Sequence, residues 1–221
     1  VAEPSTRTIE RALALLEIVC ASDGVTLTDA ARQAGLAPST ALRLLRTLEH
    51  TGFVARSAAG QFRAGVRVVQ LGARVLGDDA LVATSREPMR DLARATGESV
   101  YLSVEGPGDE VVYIAIVEGT HSVRHASWVG RSLPARGSAA GQALHDEVRA
   151  PGYVVVERGV EPDVTAIAAP VRAGTSVVAA LSLVVPSYRL DADQVREHGR
   201  RLVAACEDLS ALLGGVARTH P

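Results

Sequence analysis

VTLTDAARQAGLAPSTALRLLRTLEHTGFVARSAAGQFRA, residues Val25–Ala64, carries the stops and starts of a single small device. An amphipathic run from Leu27 to about Ala34 halts at Gly35. Leu36-Ala37-Pro38 makes a tight turn, and a second helical run extends from about Ser39 to His50, ended by Thr51-Gly52. Two β-like runs, Phe53–Arg56 and Gln61–Ala64, flank the small-residue turn Ser57-Ala58-Ala59-Gly60. Helix, turn, helix and hairpin in this order describe a winged helix-turn-helix, whose second helix enters the major groove of duplex DNA.

Within that second helix the apolar stripe Ala41, Leu42, Leu45 and Leu48 is expected to face the core. Ser39, Thr40, Arg43 and Arg46 fall largely on the other side. Arg43 is the first candidate for a base contact, because a guanidinium pairs bidentately with guanine O6 and N7. Pro38 of the turn is counted among the DNA-binding residues, and Ser39, Thr40 and Arg46 suit phosphates, helped by the amides at the helix N-terminus. Arg56, Gln61 and Arg63 on the wing could reach flanking backbone or the minor groove. A basic helix alone is more often a solvated face. The turn, the wing and the local charge move the reading to DNA.

That charge is hidden in the total. The chain of 221 residues has a formal net charge of −2, yet Arg32–Arg67 holds six arginines against one acid, a balance of +5. From Gly77 onward there are 14 arginines and 19 acids, a balance of −5. A basic module joined to an acidic one suits a DNA reader attached to a sensor. All 23 basic residues are arginine, so any phosphate clamp must use guanidinium forks.

The length allows two domains, each with its own core. Hydrophobic residues make up 47% of the chain and aromatics only 3%, so Leu, Val and Ala must build those cores. No apolar run approaches the roughly 18–20 residues a membrane span needs, and the first residues lack a signal-peptide pattern. Cys20 and Cys206 are far apart and form no metal spacing; two buried free thiols and a cytoplasmic setting are expected.

Outside the opening segment, helices are expected over Arg7 to about Ala21, Val66–Leu76, about Leu81–Ala95 with Gly97 as a stop, Ser138–His145, and about Asp191–Gly214. The last carries the stripe Val195, Leu202, Cys206, Leu209 and Leu212/Leu213. Ser99–Glu105 and Glu110–Glu118 read as a hairpin around Gly106-Pro107-Gly108-Asp109, and Val123–Val129 and Tyr153–Glu157 as strands. Thr165–Ala173 and Val177–Val185 form a second hairpin. The whole is therefore α+β: a winged helix over residues 1–65, a linker helix over 66–80, and an antiparallel sheet with flanking helices over 81–221.

Catalytic sets are not evident. His121 and His125 stand four apart in a loop-to-strand region where that spacing does not converge on a metal, and no HExxH, GxSxG, P-loop or GxGxxG occurs. No cofactor is expected. Gly137-Ser138-Ala139-Ala140-Gly141 leads into a helix and reads equally as close packing or as a ligand-facing helix start. Tyr101, Tyr113 and Trp128 read as core or pocket-wall residues.

Several blocks in order resemble the IclR family of bacterial transcription regulators over nearly the whole chain. They are RALALLEIV with LTDAARQAGLAPSTALRLLRTLEHTGFV, then FRAGVRVVQLGARVL, LARATGESVYL, VGRSLPARGSAAGQAL and VTAIAAPVRAGTSVVAALSLVVPSYRL. The resemblance implies a linker helix used in dimerisation, a GAF-like domain that binds a small-molecule effector, and action as a dimer or tetramer on palindromic operators. It places Ala139 and Ala140 in the effector pocket, with Ala166, Ile167, Ala168 and Ser182 from the last two strands. Val184 stands where relatives carry a second serine, and Val184-Val185-Pro186 where SGP often follows. The pocket is thus less polar, and a larger or more apolar ligand fits better than a short keto acid. Between Ala143 and Gly152 the family normally carries a few dozen more residues. Either residues near His145–Glu147 are left out, which the missing initiator Met favours, or the domain is shortened. Two other classes stay open: an enzyme, with His125 or Cys206 as its reactive group, and a ligand- or protein-binding module with an accessory winged helix.

Overall fold

Residues 6–125, 127–159 and 161–215 are described by a computed structural model, in which the chain divides at Gly77/Asp78 into two compact units. The first unit begins with α1 (Arg7–Cys20), α2 (Leu27–Gln33) and α3 (Pro38–His50). Each start has a local cause. The Thr26 hydroxyl accepts the Asp29 N–H (3.2 Å) and donates to the Asp29 carboxylate (2.7 Å), closing the N-terminus of α2. Gly35 takes φ +62°, a left-handed turn that a side chain resists, and Pro38 supplies the fixed φ of the first turn of α3.

A two-stranded wing follows, β1 (Val54–Arg56) with β2 (Phe62–Ala64), antiparallel with Val54 opposite Ala64. Val25 adds a bridge to Phe62, its N–H and C=O both bonded there (2.9 and 2.8 Å), which ties the wing to the start of α2. One core of Leu15, Val19, Ala41, Leu44, Leu45 and Phe62 holds the helices and wing together. Leu44 is buried at its centre, whereas Leu42 and Leu48 are only partly covered. The unit ends in α4 (Val66–Asp78).

The second unit is built on a six-stranded antiparallel sheet. Its strands are β3 (Ser99–Gly106), β4 (Glu110–Val117), β5 (Ser132–Pro134), β6 (Val154–Glu157), β7 (Val164–Ala173) and β8 (Ser176–Pro186), in the order β5-β4-β3-β8-β7-β6. Helix α5 (Ala80–Thr96) and α7 (Ala192–Gly215) cover one face; α6 (Ala139–Leu144) packs on the other. Strand alternation decides which residues go where. Val100, Leu102, Ile167, Ala169, Leu181 and Leu183 meet Met89 and Leu92 of α5 and Leu202, Cys206 and Leu209 of α7. Tyr101, Ala166, Ala168, Ala180, Ser182 and Val184 face the α6 side. The architecture is α+β.

Two expectations are corrected. Val123–Val129 forms no strand among its described residues: between Gly119 and Gly130 the chain leaves the sheet edge, with Val123 and Val129 exposed, and only Ser132–Pro134 pairs with β4. Val123 and Val129 stay outward, and the segment turns His125 and Trp128 inward instead. Cys20 is exposed rather than buried, because it closes α1 on the outward side; Cys206 is buried, and neither is in a disulfide.

Candidate nucleic-acid interface and ligand pocket

On α3, burial of Ala41, Leu44 and Leu45 fixes the opposite face as the outward one. Ser39, Arg43 and Arg46 lie along it, exposed, with Pro38 at its start and Thr40 half-buried at its margin. His50 continues the same stripe, since 39, 43, 46 and 50 step by four, three and four residues. Sequence reasoning missed His50, although that spacing pointed to it. The Thr47 hydroxyl donates to the Arg43 carbonyl (3.1 Å) beside the stripe. Of the arginines on α2 and α3, Arg32 is in an ion pair, with Asp29 at 2.8 Å.

The wing residues are less free. Arg56 lies over the Phe62 ring, 4.9 Å from its centroid, a cation–π contact that holds it against β2. Gln61 Oε1 and Arg63 Nε stand 2.9 and 3.2 Å from where a Cβ on Gly24 would sit, so both side chains fold back toward the α1–α2 connection. The tip, Ser57–Gly60, is uncharged.

In the second unit a pocket opens between the α6 face of the sheet and the segment that leaves its edge. Its lining includes Tyr101, Tyr113, His125, Trp128, Ala139 and Glu161, floored by Ala166 and Val184. The empty space, mouth included, is about 400 Å³. Rings form one wall: Tyr101 and Tyr113 at 4.9 Å between centroids, His125 and Trp128 at 4.9 Å, Tyr113 and Trp128 at 6.3 Å.

A polar chain crosses it. The Tyr101 hydroxyl bonds His125 Nδ1 at 2.7 Å, and His125 Nε2 lies 3.4 Å from the Glu161 carboxylate. Burial pushes the Tyr101 phenol above its ordinary range and Tyr113 up to about 12, so both stay neutral in the physiological range. The Ser138 hydroxyl caps α6, accepting from the Gly141 N–H (3.0 Å) and donating to the Ala135 carbonyl (2.8 Å).

Ala139, Ala166 and Val184 line this pocket as the resemblance implies; Ile167 and Ala140 do not. By strand period Ile167 points to the opposite face, into the α5–α7 core. Ala140 is buried against Tyr101, Val111 and Leu133 behind the lining. Ser182 faces the α6 side and is buried at 1% exposure, its hydroxyl without a hydrogen-bond partner among the described residues, beneath the pocket rather than on its surface. His125 and Glu161 were not foreseen as lining, since no local pattern marks a loop residue that tertiary packing turns inward. Cys206 is buried, and that burial pushes its thiol up to about 12.

The segment carrying His125 is anchored by a buried carboxylate. Glu98, 2% exposed, pairs with Arg189 at 2.9 Å and faces His121 at 3.5 Å, while Arg189 Nη2 donates to the Val123 carbonyl (2.9 Å). Burial pushes the Glu98 carboxyl up, and Arg189 and then His121 oppose that shift. Gly97, at φ +77°, ends α5; a Cβ there would stand 2.5 Å from His121 Nε2.

Comparison with known proteins covers both units. The IclR helix-turn-helix domain family matches residues 8–58, and the family described as bacterial transcriptional regulator IclR C-terminal matches 73–146 and 144–211. The two latter blocks meet where the chain is shorter than the resemblance implies. The transcriptional repressor IclR of Escherichia coli (strain K12) is 36% identical over 141 residues, 62% of this chain and 52% of that protein. The chain thus spans about half the length of that curated relative. The HTH-type transcriptional repressor AllR of the same strain is 27% identical over 259 residues, 100% of this chain and 94% of that protein. An IclR transcriptional regulator from Alicyclobacillus acidocaldarius shares the fold with a TM-score of 0.83 at 24% identity, covering 96% of this chain and 100% of that one. An IclR homologue from Microbacterium hydrocarbonoxydans, complexed with 4-hydroxybenzoate, does so with a TM-score of 0.79 at 23% identity, covering 95% and 100%. These relatives are regulators of transcription, not enzymes.

Proposed function

Because the chain belongs to the IclR family of bacterial transcriptional regulators, we propose that it is a ligand-responsive repressor that binds palindromic operators as a dimer or tetramer. The observation that carries this reading is the outward stripe of α3, where Ser39, Arg43 and Arg46 stand exposed at helical spacing on the basic unit. Arg43 reads a base; Pro38, Ser39, Thr40 and Arg46 hold phosphates, and Arg56, Gln61 and Arg63 support the wing against the flanking backbone.

The acidic unit is the sensor. Its pocket, lined by Ala139, Ala166 and Val184 with the aromatic wall, takes a small molecule with a largely apolar body. Ligand binding is expected to move the segment that carries His125 and Trp128, since both side chains line the pocket. That displacement shifts the population of DNA-competent dimers, with a coupling of about 1–3 kcal/mol.

Footprinting the full chain on genomic fragments, followed by titration at several salt concentrations, tests the reading. Affinity should fall with salt at a log–log slope of about −0.9 for each phosphate engaged. Absence of any protected fragment, or binding indifferent to salt, rejects it.

A further inference from the structure

We propose that the pocket takes a ring-sized apolar molecule that presents a hydrogen-bond donor, a hydroxyl or an ammonium, to Glu161, and that it disfavours a carboxylate. The inference rests on the reading of this pocket as the effector site.

The argument is one of charge and of hydrogen-bonding capacity. Among the described residues, the lining holds a single carboxylate, Glu161, and no arginine. With His125 neutral the lining carries one negative charge. With His125 protonated, the Glu161 carboxylate 3.4 Å away balances it. In neither state is there a net positive charge to receive a ligand carboxylate, and a second anion beside Glu161 is repelled. Glu118 adds to this: its carboxylate and that of Glu161 both act on the Tyr101 phenol, although Glu118 is itself paired with Arg124 at 2.8 Å. Arg131 does not supply the missing cation, since it lies over the Trp128 ring at 5.7 Å and is not part of the lining.

A donor meets a different reception. Glu161 is 40% exposed at the side chain, and an ionised carboxylate offers about four lone-pair sites, of which His125 can occupy one. The Ser138 hydroxyl spends its one proton on the Ala135 carbonyl, so it has none to donate to a ligand carboxylate. The rings of Tyr101, Tyr113 and Trp128 give a flat apolar wall for the body of the ligand, and they attract a cationic head where they meet one.

The sequence contains one tryptophan, and Trp128 lines this pocket, so intrinsic fluorescence excited at the indole reports the site directly. The full chain is titrated with benzylammonium, benzyl alcohol and benzoate, which share a ring and differ in the head. Benzylammonium and benzyl alcohol should each change Trp128 emission saturably at concentrations about tenfold or more below benzoate, and Glu161→Gln should weaken benzylammonium by about tenfold and narrow its lead over benzoate. Benzoate binding as tightly as the other two, or a lead of benzylammonium over benzoate that is undiminished in Glu161→Gln, overturns the donor assignment and leaves the effector pocket standing. Emission indifferent to all three heads removes the effector pocket as well.

Discussion

Arg43 and Arg46 stand almost one turn apart on the exposed face of α3, and their roles separate by what each change does to different DNA sequences. Arg43→Ala is expected to cost about 1–3 kcal/mol on the operator and to relax preference at one base pair; Arg46→Ala should weaken all sequences alike and reduce the salt slope by about 1. Fluorescence anisotropy on operator and scrambled duplexes at three salt concentrations separates the two. His198 on α7 offers a different residue-scale test. Burial, and then Arg201, hold its pKa below the ordinary 6.5, against a smaller opposing pull from Glu197, and its Nδ1 is buried without a hydrogen-bond partner among the described residues. A depressed folded-state pKa means stability is present above pH 6.5 and is lost as pH falls through the lowered value. The melting temperature of the full chain should therefore fall between pH 7.5 and 5.5, and His198→Gln should flatten that fall. An unchanged slope in the variant rejects the assignment.

At the scale of elements, α7 is the keel of the second unit. Leu202 is fully buried between α7 and the sheet, so Leu202→Ala should lower stability by about 2–5 kcal/mol, read from urea unfolding followed by ellipticity. Much of this element was legible in sequence: the stripe Leu202, Cys206 and Leu209 has helical period, and the structure buries those three. Gly97 announced the end of α5 for an equally local reason, a left-handed cap. The 123–129 segment misled because alternation reports which side chains could share a face, not whether a neighbouring strand exists to pair with. Ile167 misled in the reverse sense. Its strand was correctly read, but a strand has two buried faces here, and only packing shows which one borders the pocket.

For the whole molecule, α4 leaves Val66, Val69 and Val75 at 66–67% exposure on the first unit, and Ile9 and Leu13 of α1 are also exposed. Apolar side chains at helical spacing suit a second copy of the chain, as the proposed dimer requires. Burying a valine is worth about 1.5–3 kcal/mol, so Val69→Glu should weaken self-association by roughly tenfold or more. Sedimentation velocity over a dilution series measures it; identical profiles for the variant and the parent chain would place the dimer contact elsewhere.

Local chemistry determined the winged helix. Turn residues, caps and a 3.6-residue period act within a few positions, so Gly35, Pro38 and the stripe on α3 could be read directly, and the charge contrast separated a basic unit from an acidic one. The family blocks extended that reading to an expected effector pocket and named Ala139, Ala140, Ala166, Ile167, Ser182 and Val184 for it. Only the tertiary structure decided what the pocket is made of. Tyr101 on β3, His125 in an irregular segment and Glu161 before β7 are 24 to 60 positions apart, and nothing between them in the chain brings them together. The sheet's strand order does so, by placing β3 beside β8 and β7 beside β8, and the buried Glu98–Arg189 pair then holds the His125 segment over them.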